Sequence, residues 1–378
     1  MKYIRLSDCA YYSDLRTKSI DLETYISTEN MLPNKGGISP ADSIPDIKTT
    51  SKYEPNDILL SNIRPYFCKI WFANREGGCS NDVLVIKAKE NYLPKFLYYV
   101  LSDQNFFNYD TVTSKGTKMP RGTPNAIMKY LVPDIGKDKQ EIIVKTLSAY
   151  DNLIENNNKR IKILEQMVEN LYKEWFVRFR FPGHKTTPIE NGIPKGWEMP
   201  RFGEVATLIN GRAYLMPELL SEGKYRIVRV GNFSGKDEWF YSDMELDSDK
   251  YCEQGDLLYK WACNFGPEIW NEEKVIYHYH IWKVIPGVSL NKAYLYHYLK
   301  YSTPLWMGGT NGTAMVHITK ESMEKKRIIV PHKSILDKFA DNANQMMSEK
   351  LSLLKQNQNL IKQRDLLLPR LMSGKLTV

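Results

Sequence analysis

The chain has 378 residues, 42% apolar and 25% charged, with a net charge of +8 from 52 basic and 44 acidic side chains. That is chain enough for two or three domains with cores of their own, and the charge permits a polyanionic partner without demanding one. Five cysteines with no CxxC pair, an opening MKYIRLSD without a secretory apolar stretch, and no run of 18 apolar residues argue against a disulfide scaffold, a zinc site, export and a membrane span, so the expected location is cytoplasmic.

In chain order, Ile58–Leu60, Cys68–Phe72 and Val83–Ile86 are short β-branched or aromatic runs bounded by Pro, Asn and Gly, which predicts strands. A short helix is expected over Lys95–Leu101. After Val132-Pro133, residues 141–176 place Ile143, Leu147, Tyr150, Ile154, Ile161, Leu164, Val168, Leu171 and Trp175 at alternating four- and three-residue spacing. This is the period of a coiled-coil seam, with Asn157 its polar exception. A second set follows: strands at Leu257–Tyr259, Val275–Tyr277 and Ile281–Ile285, a helix at Lys292–Leu299, and then another long helix. In that helix Phe339, Met346, Leu353, Leu360 and Leu367 hold one seam position. The other reads Ala343, Lys350, Asn357 and Arg364, a partly polar edge.

The second set repeats the first. Arg5–Ala10 aligns with Arg201–Ala206, Asn56-Asp57-Ile58-Leu59 with Gly255-Asp256-Leu257-Leu258, Leu97–Leu101 with Leu295–Leu299, Gly116-Thr117 with Gly312-Thr313, and Val132-Pro133 with Val330-Pro331. Similar matches in the same order at a nearly constant offset indicate an internal duplication. The expected fold is α+β: two tandem, pseudo-two-fold-related recognition domains at 1–133 and 181–331. Long helical spacers at 134–180 and 332–378 separate them and pair as an antiparallel coiled coil. Pairing centred near residues 159 and 355 would join Asn157 to Asn357. Residues 143–175 would span about 48 Å at the α-helical rise, making the pair a ruler between the domains.

Catalytic patterns are missing. There is no GxxxxGK[ST] loop, dinucleotide fingerprint, Asn/Asp-Pro-Pro-aromatic tetrapeptide, GxSxG or HExxH. His278 and His280 form an HxH on an expected strand, without accompanying carboxylates or thiols, so no metal site is expected. Asp243–Asp249 reads as a solvated loop. A nuclease centre on Asp57 and Lys69 has nothing else to support it.

Two loops recur with chemistry suited to DNA. The first carries Asn62, Arg64, Tyr66 and Lys69, opposite Lys260, Trp261, Asn264 and Phe265. The second carries Thr113, Lys115, Thr117, Lys118 and Arg121, opposite Thr310, Asn311, Thr313 and His317. Arg212, Arg226 and Arg229 are weaker additions. Arg and Lys bind phosphates or guanine edges, and Asn pairs with adenine. Because corresponding positions differ between the halves, two dissimilar readers suit a split, asymmetric target.

The pattern resembles the specificity subunit of type I restriction-modification systems. The residues that carry the likeness are Asn56–Leu60, Gly255–Leu258, Pro194–Trp197 with Arg201–Glu204, Val132-Pro133 followed by Gln140–Ile142, and the ending Leu366–Leu376. The resemblance implies two target recognition domains on double-stranded DNA and no active site in this chain. It also implies docking of two modification subunits that methylate adenine, joined by restriction subunits. S-adenosylmethionine, ATP and magnesium would then be bound by those partners. Two features depart from the pattern: no counterpart of Pro194–Trp197 precedes the first domain, and the second helix has a more polar seam. A protein-assembly scaffold and a free-standing nuclease are the alternative readings.

Overall fold

The duplicated Asn-Asp and Gly-Asp motifs are turn formers. Asn56 and Gly255 both take the left-handed conformation, with φ of 74° and 88°. Such a φ suits glycine and, among other residues, asparagine best. The following aspartate closes the turn from inside: Asp57 accepts from Glu54 N at 2.8 Å, and Asp256 from Glu253 N at 2.9 Å. Each turn launches a fully buried strand, Ile58–Ser61 or Leu257–Lys260.

The computed structural model describes residues 2–234, 238–307 and 318–372. Contacts divide the chain into one unit of Met1–Asn158 with Leu354–Val378 and another of Lys159–Leu353. Both long helices therefore contribute to both units. In the first unit the antiparallel sheet runs Ala10–Tyr12, Val83–Ala88, Ile58–Ser61, Ile70–Phe72. In the second it runs Ala206–Asn210, Ile281–Pro286, Leu257–Lys260, Gly266–Ile269, in the same order and again antiparallel. The launched strands are apolar on both faces because each face has its own core. Ile58 and Leu60 face one cluster and Leu59 another, as Leu257 and Tyr259 face one and Leu258 another.

The chain is thus α+β, with two tandem domains of one design. One expected correspondence is corrected. The counterpart of the strand at Ile70–Phe72 is Gly266–Ile269, whereas Val275–Tyr277 belongs to the second domain's other sheet, paired with Tyr251-Cys252. Gly266-Pro267 conceals a strand from a propensity reading, yet an edge strand tolerates proline. The expected helices are Pro94–Leu101 and Lys292–Met307, and a further helix, Gln104–Thr113, is added in the first domain.

The first long helix is Lys137–Tyr172, extended by a π-helical turn over Lys173–Val177, and the second is Lys333–Met372. Asn157 and Asn357 are both buried, and Asn157 Nδ2 donates to Asn357 Oδ1 at 2.9 Å. Asn357 Nδ2 donates in turn to Asn158 Oδ1 at 2.8 Å. Ile154 and Leu360 are half-buried in the first unit, as are Ile161 and Leu164 in the second, where Leu353 is buried. The polar edge of the second helix is met by polar partners: Arg364 by Asp151 at 2.8 Å in the first unit, and Lys350 by Glu165 in the second. The pairing is antiparallel. Cysteines at positions 157 and 357, in a chain with the exposed Cys263 replaced by serine, are expected to form an intramolecular disulfide on mild oxidation. A chain that stays fully reduced on a non-reducing gel, or links only to other chains, would contradict this register.

Candidate nucleic-acid interface

In the first domain the two loops singled out by sequence come together. Arg64 N donates to Pro120 O at 2.7 Å, and Gly122 N donates to Asn62 O at 3.0 Å. Isolated bridges join Ile63 to Arg121 and Lys115 to Arg121. The strand exit at Asn62–Phe67 and the turn at Lys115–Gly122 thus form one surface. Arg64 itself is left-handed, with φ of 50°, and caps the short turn Pro65–Phe67. Its guanidinium carbon stands 6.0 Å from the centre of the Phe67 ring, which Lys69 Nζ approaches to 5.7 Å. Two cations converging on one ring favour an anion nearby.

The candidates differ in freedom. Lys115, Thr117 and Lys118 are exposed. Arg121 is exposed and pairs with Asp82 at 3.3 Å. Lys69 Nζ donates to the Thr28 carbonyl at 2.6 Å, and burial holds its pKa below the usual lysine range. It therefore helps fix the loop. Asp57 pairs with Lys87 at 2.9 Å and caps its turn, so it does not join Lys69 in a catalytic arrangement. Tyr66 and Phe67, exposed beside Arg64, add aromatic surface.

The second domain requires corrections. Lys260 is not a surface cation: it is 4% exposed, and its Nζ sits 2.7 Å from Glu268. Arg212 is held by both carboxylate oxygens of Glu218, at 3.0 and 2.6 Å. Arg226 pairs with Glu272 and Glu273. Arg229 is exposed, 5.0 Å from the Phe240 ring. Asn264 is exposed after the left-handed Cys263. Asn311, Thr313 and His317 lie outside the described residues, as does Thr310.

His278 forms an isolated β-bridge to Arg212 at the end of Val275–Tyr277, whereas His280 lies in the turn that follows, so the two do not share one strand; their ring centres are 4.9 Å apart. Burial first, then His280 and Arg229, push the His278 imidazole down to about 4, so it is neutral at physiological pH. Around this turn lies an aromatic surface of which the sequence pattern marks only Trp261. Trp261 stacks on Trp282 at 5.7 Å and donates to the Tyr279 carbonyl at 2.8 Å, while Tyr279 is 37% exposed. Tyr214 lies 6.4 Å from His278, with Arg212 4.9 Å from its ring. The sequence signal for this surface is the alternation Tyr277-His278-Tyr279-His280.

Residues 22–166 and 194–366 each match the type I restriction modification DNA specificity domain. The chain belongs to that family. It is a specificity subunit with a DNA-recognition role, and the domain it carries twice selects sequence and performs no reaction. The type I restriction enzyme MjaIX specificity subunit of Methanocaldococcus jannaschii is 25% identical over 319 residues, covering 77% of this chain and 71% of that protein. The HindI specificity subunit of Haemophilus influenzae is 22% identical, covering 93% of this chain and 94% of that protein. Among solved structures, the type-I restriction-modification S subunit from M. genitalium shares the fold, with a TM-score of 0.56 at 14% identity over 98% of this chain and 96% of that one. Among the described residues no helix is long and apolar enough to cross a membrane.

Proposed function

We propose that this specificity subunit reads a bipartite, asymmetric sequence in double-stranded DNA, one half with each domain. In doing so it positions two adenine-modification subunits and the restriction subunits in the cytoplasm. The observation that carries this reading is divergence on a shared framework. The same buried strand exits into Asn62-Ile63-Arg64 with Tyr66 and Phe67 in one domain, and into Trp261-Ala262-Cys263-Asn264 in the other. Identical readers suit a palindrome, and different readers suit two different half-sites. The first half-site would meet Arg64 and the Lys115–Arg121 turn; the second would meet Arg229, Asn264 and the aromatic surface around Tyr279. The chain would bind no cofactor itself, with S-adenosylmethionine, ATP and magnesium held by its partners.

The test is a genome-wide map of adenine methylation with the gene intact and deleted. One split motif is expected to lose methylation on deletion. Unchanged methylation with the partner subunits expressed would favour a scaffold role instead. At residue level, Arg64→Ala is expected to weaken DNA binding by about 10- to 100-fold, the range of one good base contact, and to leave assembly unchanged by gel filtration. Lys260→Ala should lower thermal stability, because Lys260 is internal and paired. A DNA-affinity loss without a stability change would restore Lys260 as a contact.

A further inference from the structure

Eight buried side-chain polar atoms lack a hydrogen-bond partner among the described residues, and four of them belong to Asn62, Arg64 and Asp110. Asp110 lies on the helix Gln104–Thr113, is 0% exposed, and has a partner for neither carboxylate oxygen. Its surroundings converge on Gly122. A methyl group placed on Gly122 would lie 2.7 Å from Asp110 Oδ1 and 2.7 Å from Asn62 Oδ1, the latter also unpartnered. Two acceptors therefore face the same point, closed to water, with no donor between them. An ionised carboxylate in that position is strongly disfavoured, whereas one proton turns the pair into donor and acceptor.

The same residues carry the loop. Gly122 N donates to the Asn62 carbonyl, and Thr123 Oγ1 donates to the Thr113 carbonyl at 3.1 Å, fastening the loop to the end of the Asp110 helix. We propose that Asp110 is the positioning group of the 115–122 recognition turn, carrying a proton that it donates to Asn62 Oδ1, so that DNA reading by the first domain is linked to protonation. The proposal rests on the reading that this turn meets DNA.

The charged surroundings agree. Burial alone pushes the Asp110 carboxyl up to about 7, and no lysine or arginine contributes to the shift. The titratable neighbour is Tyr12 of the strand Ala10–Tyr12, whose phenol is raised by burial first and by Asp110 second. On the turn itself Arg121 is engaged with Asp82, and Lys115 points to solvent. Because the folded-state pKa lies above the unfolded value, the native chain holds the proton more tightly. The contribution of the protonated carboxyl is complete below the unfolded pKa and is lost as pH rises through 7.

The experiment compares the full-length chain with Asp110→Asn, whose amide keeps a donor at every pH. The Asn variant is expected to melt close to wild type at pH 5.5 and clearly higher at pH 8, a readout independent of DNA. Wild-type DNA affinity, measured with the modification subunits present, should fall about tenfold from pH 6 to pH 8, the change in protonated fraction about a midpoint of 7. The variant should stay flat. An equal melting difference at both pH values overturns the proposal, for it would mean that the Asn62 amide is turned to donate to an ionised Asp110. A growing melting difference with parallel DNA profiles overturns the link to recognition. If the double variant Lys115→Ala, Lys118→Ala, on the turn itself, then leaves binding unchanged, the fault lies in the assignment of the turn to DNA; if it weakens binding, the fault lies with Asp110.

Discussion

Phe176→Ala should destabilise the second unit by about 3–5 kcal/mol, the range for deleting a buried aromatic side chain. Phe176 is 3% exposed in the π-helical turn that extends the first long helix. Its ring meets Tyr294 edge-on at 4.8 Å, Phe339 at 5.0 Å, Tyr172 at 5.4 Å and Trp197 at 6.0 Å. These neighbours come from both long helices, the domain's entry segment and its helix Lys292–Met307, so one ring joins four parts of the chain. The surrounding rings are large and cannot collapse into the space, which places the loss toward the upper end. Val177→Ala, one residue on and 38% exposed, should change stability by no more than about 0.5 kcal/mol. Denaturant midpoints of the two variants check this. A Phe176→Ala loss below about 1 kcal/mol would mean that the helix end is not anchored through this cluster.

Asp151→Ala should cost about 2–3 kcal/mol in the first unit. Its carboxylate accepts from Arg364 at 2.8 Å and from the Tyr99 hydroxyl at 2.6 Å, tying the recognition domain's helix to both long helices. Burial works against the charge of Arg364, and the hydrogen bond to Asp151 with the carboxylates of Asp365 and Asp151 outweighs it, holding its pKa above the usual arginine value. Removing the acid strands a cation that is 17% exposed. Breaking a fully buried pair costs about 3–5 kcal/mol. The figure is lower here because Asp365, 2.9 Å from Arg364, remains. A double-mutant cycle with Arg364→Ala should show coupling of about 1–2 kcal/mol. Strictly additive losses would reduce the pair to two independent packing effects.

Much of this architecture was legible in the sequence because turns and periods are local. The Asn56-Asp57 and Gly255-Asp256 pairs announced the repeat through a left-handed residue followed by a turn-closing acid, chemistry that needs four residues and no tertiary context. The seam of the first long helix was legible for the same reason. What stayed hidden depends on neighbours distant in sequence. Lys260 reads as a loop cation until Glu268 is seen across the adjacent strand. Gly266–Ile269 reads as a breaker until it is placed at a sheet edge. Asp110 is a residue type that reads as solvent-facing, although it shares a helix face with the buried Phe106 and Phe107, and its enclosure is completed by Gly122 and Asn62, distant in sequence. The Tyr-His-Tyr-His alternation was visible, but a turn presents those rings differently from the strand it suggested.

The polar contacts between the long helices differ from one to the next: acid with guanidinium at Asp151 and Arg364, amide with amide at Asn157 and Asn357, acid with ammonium at Glu165 and Lys350. Were the second helix to slide by seven residues one way, Arg364 would face Asn157, Glu165 would face Asn357 and Asp151 would face Leu371. Slid the other way, Asp151 would face Asn357 and Lys350 would face Asn157, so that ions lose their counterions in either case. A uniformly apolar seam would give slipped alignments nearly equal energies. This succession of unlike rungs makes each such alignment worse than the native one, so the chain distinguishes correct from shifted assembly while it folds, before any nucleic acid is present.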